Sequence, residues 1–193
     1  MLIAILGPLG CGKTLGMTFL GLKSYFAYNR RVKLYSNYHL FGVPFIYVKS
    51  PEDIEMMHEG IFLGDELWLW LDSRASQSKK NKMISKILGK SRKRGIEIFY
   101  TTQDFSQIDK RIRKITDYFC VPMLNKSETL CTLLIYNKYM ELKRCLRFRT
   151  AKIFDCYDTT EEIEELETED DREKERMELK KERKQKQMEN GFL

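Results

Sequence analysis

Apolar residues run unbroken from Leu2 to Leu6 and stop at Gly7, the pattern of a short strand buried on both faces. The period then changes. Leu15, Phe19, Leu22 and Phe26 recur at three- and four-residue intervals and predict a helix with one apolar face. Residues 31–36 predict a second strand, with Asn37 at its end, and Phe45-Ile46-Tyr47-Val48 is a third apolar run. Ser50-Pro51-Glu52-Asp53 reads as a helix start: a serine cap, proline at the first helical position, carboxylates in the first turn. That helix stops before Gly60. Residues 61–66 form another apolar strand, ending in Asp65-Glu66. A helix is predicted over 78–93, with Met83, Ile84, Ile87 and Leu88 as its stripe. Ile96 to Thr102 is a strand that ends at Gln103. Residues 117–124 and 129–137 are two more, and a hairpin near Lys138-Tyr139 returns through Leu146 to Arg149. Strands and helices alternate early, and strands alone follow. The class is α/β: a three-layer sandwich on a mainly parallel central sheet, with additional antiparallel C-terminal strands.

Composition divides the chain in two. From Thr160 onward Glu, Lys and Arg dominate and aromatic residues almost vanish, so residues 1–159 are read as the folded domain and 160–193 as a charged tail, helical or mobile. Net charge is +6, but its distribution matters more: residues 79–94 carry eight basic side chains and no acid, residues 161–171 eight acids and no base. Lys82, Lys86, Lys90 and Lys93 make a basic ridge along the predicted helix, a candidate DNA-contacting surface; a solvated helix face is the plainer alternative. The five cysteines are widely spaced without a C-x-x-C pair, which argues against zinc and fits a reducing cytoplasm. No run approaches the roughly 18 apolar residues a membrane span needs.

Between the first strand and the first helix lies Gly7-Pro8-Leu9-Gly10-Cys11-Gly12-Lys13-Thr14, which matches the phosphate-binding loop G-x-x-x-x-G-K-[ST]. The residue types suit a triphosphate. Glycines let the backbone curl its N–H groups inward, and the following helix adds the positive end of its dipole. Leu9, Gly10, Cys11, Gly12, Lys13, Thr14 and Leu15 are the candidate nucleotide-binding residues, with Lys13 reaching the β- and γ-phosphates. Thr14 and Asp65 are the candidate Mg²⁺ ligands, and Glu66 would orient the attacking water. Gln103, at the tip of a strand expected beside the Asp65-Glu66 strand, is a candidate sensor of the γ-phosphate. Together these residues read as a P-loop NTPase sandwich of the RecA-like, additional-strand type, with ATP and Mg²⁺ as ligands.

The joint order of these segments resembles the FtsK–HerA superfamily of DNA-pumping ATPases. The resemblance rests on Gly7–Thr14, the Ile61–Glu66 strand, Asp72-Ser73-Arg74, Ser91-Arg92-Lys93-Arg94-Gly95 before a strand ending in Thr102-Gln103, Asp109–Arg113, and Tyr157-Asp158-Thr159. It is similar above all to the zonula-occludens-toxin-like ATPases and to the genome-packaging ATPases of tailless viruses with internal membranes. The resemblance implies a homo-oligomeric ring, expected to be a hexamer, that hydrolyses ATP between subunits and threads double-stranded DNA. It implies an arginine finger from the neighbouring subunit and points to Arg92 or Arg94, with Arg74, Arg111 and Arg113 as further candidates. It also implies a cytoplasmic motor, docked at a virion vertex and served by a capsid or membrane-protein partner. Filamentous-phage members carry a membrane span after the ATPase domain, and here a charged tail stands instead. A toxin-like ATPase of phage assembly or extrusion is the alternative, and a nucleotide-binding scaffold without turnover the third reading.

Overall fold

The structure, a computed structural model, describes residues 1–70, 86, 88–161 and 163, with only the backbone of residues 51, 52 and 68. Among these residues one sheet of eight strands forms the middle layer. Its strands are β1 (Leu2–Leu6), β2 (Lys33–Ser36), β3 (Ile46–Tyr47), β4 (Gly60–Gly64), β5 (Ile96–Thr102), β6 (Tyr118–Leu124), β7 (Leu130–Asn137) and β8 (Leu142–Arg149). They lie in the order β3-β2-β4-β5-β1-β6-β7-β8. The first six are parallel, and β7 and β8 add antiparallel to them. The predicted class holds.

The sheet is covered on both faces, and that is why its strands read as apolar runs rather than alternations. On one face Ile3, Ile5, Ile61, Leu63 and Phe99 pack under α1 (Lys13–Ala27) and α4 (Ala151–Phe154). On the other, Leu2, Ala4, Phe62, Ile98 and Tyr100 pack under α2 (Pro51–Met56), α3 (Lys110–Ile115) and the turn that carries Leu67 and Trp70. Trp70 stacks on Phe62 in this layer.

The structure corrects several expectations. Of the predicted stripe of α1, Leu15 and Leu22 are buried and Phe19 packs against the core, but Phe26 is exposed and meets Arg30, and the buried face also takes in Met17, Thr18, Leu20 and Tyr25. Polar Thr18 can take an inner position because its hydroxyl is hydrogen-bonded to Thr14 O and Tyr38. Phe45–Val48 yields a strand of only two residues, at the sheet edge, with Ile46 and Tyr47 exposed. The helix predicted to reach residue 93 ends earlier: Lys90 is a turn and Ser91–Arg94 a 3₁₀ turn, closed by Gly95 at φ 65 before β5 begins. Lys93 therefore does not sit on that helix. Its predicted stripe at residues 83, 84 and 87, and Lys82, lie outside the described residues.

Beyond residue 160 two side chains still belong to the folded body. The Glu161 carboxylate accepts from the His39 N–H (2.6 Å) and the Tyr47 hydroxyl (3.2 Å) and meets His39 Nδ1 at 2.8 Å, and Ile163 packs against the core. Residues 162 and 164–193 of the predicted tail lie outside the described residues.

Candidate nucleotide site

The glycine-rich loop joins the end of β1 to α1. Gly10 and Gly12 take φ of 73 and 89, left-handed values that other residues adopt at a cost. Gly12 is the helix N-cap and offers no side chain, so the N–H groups of the first turn of α1 have no side-chain acceptor. The first helical bond runs from Gly16 N–H to Gly12 O (2.8 Å). Leu15 is buried in the core, so only its backbone can face a ligand. Lys13 is buried as well, and its Nζ donates to Pro8 O at 3.0 Å, inside the loop. Leu9 and Gly10 are exposed at the crest. The Cys11 thiol is half-buried and burial pushes its pKa up.

Asp65 and Glu66 follow β4, and the sheet carries them to the loop. The Thr14 hydroxyl donates to Asp65 Oδ2 at 2.9 Å, which joins the two predicted metal ligands directly. Thr101 Oγ1 donates to Asp65 Oδ1 at 2.5 Å and itself accepts the Glu66 N–H at 2.8 Å. Burial pushes the Asp65 carboxyl up, and the bonds from Thr101 and Thr14 pull it back. Glu66 sits at φ 47, in the left-handed region. β5 lies between β4 and β1, so Gln103 stands exposed at the tip of the strand between the loop and the acidic pair.

Sequence reasoning missed the residues that fasten this arrangement. Asn37, buried at the end of β2, bonds to both peptide groups of Asp65. Tyr38 is fully buried and meets Thr18 Oγ1 at 2.8 Å, and Thr18 donates to Thr14 O at 2.8 Å. The usable signal was a polar residue at the end of an apolar strand, the one that singled out Gln103.

Other candidates stand apart. Arg92 and Arg94 precede β5, at the end of the strands opposite the loop; Arg92 pairs with Asp117, and Arg94 Nη1 donates to Glu55 O at 2.7 Å. Arg111 is held by Asp109 at the start of α3 (Nε 2.9 Å, Nη2 2.6 Å), and Arg113 lies on the same helix. Lys86, Lys90 and Lys93 are exposed, and Arg74 lies outside the described residues.

These residues fit a Mg²⁺–nucleotide. An uncapped helix start behind a left-handed glycine turn suits phosphate oxygens. A hydroxyl and a buried carboxylate in contact are the sparse oxygen set of a magnesium that keeps waters and substrate phosphates. Fold and site define the P-loop NTPase class, in the arrangement with one strand between the loop-bearing and acid-bearing strands.

Comparisons with known proteins agree on the class. Residues 47–128 match the family described as Zonular occludens toxin (Zot). The fold is similar to the N-terminal domain of zonular occludens toxin from Neisseria meningitidis: TM-score 0.56, 20% identity, over 81% of this chain and 98% of that one. It is also similar to B204, the DNA-packaging ATPase of Sulfolobus Turreted Icosahedral Virus: TM-score 0.52, 14% identity, 74% and 95% covered. The genome packaging NTPase B204 of Sulfolobus turreted icosahedral virus 2, in complex with ATP-gammaS, gives TM-score 0.50 and 12% identity, with 74% and 95% covered. No curated protein matches the chain. At these identities the structural likeness establishes the fold, and both branches that the sequence resembles appear in it.

Proposed function

We propose that the chain is an ATP hydrolase that works as a ring and moves double-stranded DNA, in the manner of a viral genome-packaging motor. The observation that carries the reading is the Thr14–Asp65 contact, which brings the loop and the acidic strand end into one site, with Glu66 the next residue. In this reading the first-turn N–H groups of α1 and the Lys13 ammonium hold the phosphates. Mg²⁺, held by Thr14 directly and by Asp65 through its water shell, would neutralise charge on the β- and γ-oxygens. Glu66 orients and polarises the attacking water, and Gln103 reads whether the γ-phosphate is present. Arg92 or Arg94 of a neighbouring subunit stabilises the charge that develops as the γ-phosphoryl leaves. Exposed Lys86, Lys90 and Lys93 supply the cationic surface for duplex phosphates.

The similarity of B204, named as a DNA-packaging ATPase, supports this reading. The match to the Zot family favours a second one, an ATPase of phage assembly or extrusion that engages a membrane partner. None of the described helices is long and apolar enough to cross a membrane.

The deciding experiment is the steady-state ATPase rate with and without duplex DNA, alongside particle mass with a non-hydrolysable ATP analogue. The motor reading expects stimulation by DNA that fades with salt. Lys13→Ala should abolish nucleotide binding or turnover. Glu66→Gln should keep ATP bound and lower kcat by about 100-fold or more. Turnover indifferent to DNA favours the assembly reading. A monomer without turnover under any condition leaves a nucleotide-binding scaffold. Normal hydrolysis by Glu66→Gln overturns the catalytic assignment.

A further inference from the structure

We infer that Asn37 is a positioning residue of this site: its carboxamide holds the Asp65 peptide from both sides and so fixes where β4 delivers the Asp65-Glu66 pair. The inference rests on the hydrolytic reading above and extends it to a residue that never touches substrate.

The β2–β4 ladder ends where Ser36 pairs with Leu63, with one more bond from Asn37 N–H to Leu63 O at 3.2 Å. There the β2 chain turns away. Tyr38 N–H donates to Ser36 Oγ at 3.2 Å, and that hydroxyl donates to Tyr38 O at 2.7 Å, so the turn closes on itself. The N–H and C=O of Asp65 would be left without a backbone partner on this flank. Asn37 supplies both. Its Oδ1 accepts the Asp65 N–H at 2.7 Å, and its Nδ2 donates to Asp65 O at 2.9 Å, with the residue only 3% exposed. A planar amide with one acceptor and one donor stands in for the missing rung of the ladder.

The other flank is completed by Thr101, which accepts the Glu66 N–H and donates to Asp65 Oδ1. Side chains from two neighbouring strands thus clamp the pair where the ladder stops. The clamp matters because Glu66 sits at φ 47, a conformation that a glutamate keeps only when its surroundings hold it. Other residues at position 37 fail for separate reasons. Aspartate sets a second acceptor against the Asp65 carbonyl, glutamine is a methylene too long, and alanine has no polar atom.

The test uses the full chain with Asn37→Ala and Asn37→Asp beside Glu66→Gln. It reads kcat, affinity for a fluorescent ATP analogue without metal, the Mn²⁺ concentration that half-saturates the nucleotide complex, amide exchange at Asp65, and melting temperature. Both Asn37 variants should lose about tenfold or more in kcat, since a displaced catalytic group costs rate steeply. They should need several-fold more Mn²⁺ and exchange the Asp65 amide faster, with metal-free affinity within about twofold of the parent. A joint fall of kcat, metal-free affinity and melting temperature means a merely structural residue and overturns the inference. So do unchanged kcat and Mn²⁺ requirement. If the parent chain hydrolyses nothing, the hydrolytic reading falls, and the Mn²⁺ and exchange results decide Asn37 by themselves. Should Asn37→Ala not fold, Asn37→Ser carries the same comparison.

Discussion

Thr101 spends its single hydroxyl twice, as acceptor for Glu66 N–H and as donor to Asp65 Oδ1, with no exposed surface. Thr101→Val keeps the shape and removes both bonds. A partly buried N–H and a buried carboxylate oxygen then lose a partner at once, so the variant should be less stable by about 1–3 kcal/mol. Thr101→Ser should recover most of that loss, and chemical denaturation of the three proteins checks it. Such roles were not legible in the sequence. Lys13, Thr14 and Asp65 could be named there because their spacing is tied to a ligand. Thr101 and Asn37 act through register, and register appears only once β2, β4 and β5 are laid side by side.

Among the elements, α1 lies close against the sheet at Gly21. A Cβ there would meet Leu63 Cδ2 at 2.4 Å, in a part of the core where Leu63 is fully buried. Gly21→Ala should therefore destabilise the fold by up to about 2 kcal/mol, overpacking outweighing alanine's helix preference of about 1 kcal/mol. Gly89→Ala, on an exposed helical position where a Cβ meets nothing within 4 Å among the described residues, should be neutral or stabilising; melting temperatures read both. The breadth of the inner face of α1 was hidden for the same reason: glycine scores as nothing in a hydrophobic pattern, yet Gly21 lies on that face. The start of α3 makes a second case. Asp109 is buried, caps the helix at Arg111 N–H (2.8 Å) and holds the Arg111 guanidinium, which keeps its carboxyl below the usual carboxylate range. A depressed folded pKa adds stability that is full above the unfolded value, about 3.9, and is lost as pH falls through the folded one. Asp109→Asn should lower stability by about 0.5–2 kcal/mol at neutral pH and flatten the decline below about pH 4, as pH-dependent melting would record.

At the scale of the molecule, the two ends of the central parallel strands are differently equipped. The C-terminal ends carry the loop, Asp65, Glu66 and Gln103; the N-terminal end of β5 carries Arg92 and Arg94. The seven residues of β5 separate them by about 20 Å at roughly 3.3 Å per residue, beyond the reach of one arginine. If either arginine completes a nucleotide site, that site belongs to another copy of the chain, and such head-to-tail contact makes a ring where the rotation between copies closes and an open filament where it does not. Mixed subunits separate the possibilities. Lys13→Ala lacks the phosphate grip but keeps the arginines, and an Arg92→Ala, Arg94→Ala double variant has the reverse defect. Each should be inactive alone. Mixed in equal amounts, about a quarter of random interfaces pair an intact loop with an intact arginine, so turnover should reappear on mixing and scale with that fraction. Two inactive proteins that stay inactive together, although they co-assemble by mass, would mean that these arginines do not act across the interface. Full activity in the double variant would move the search to Arg74, Arg111 and Arg113.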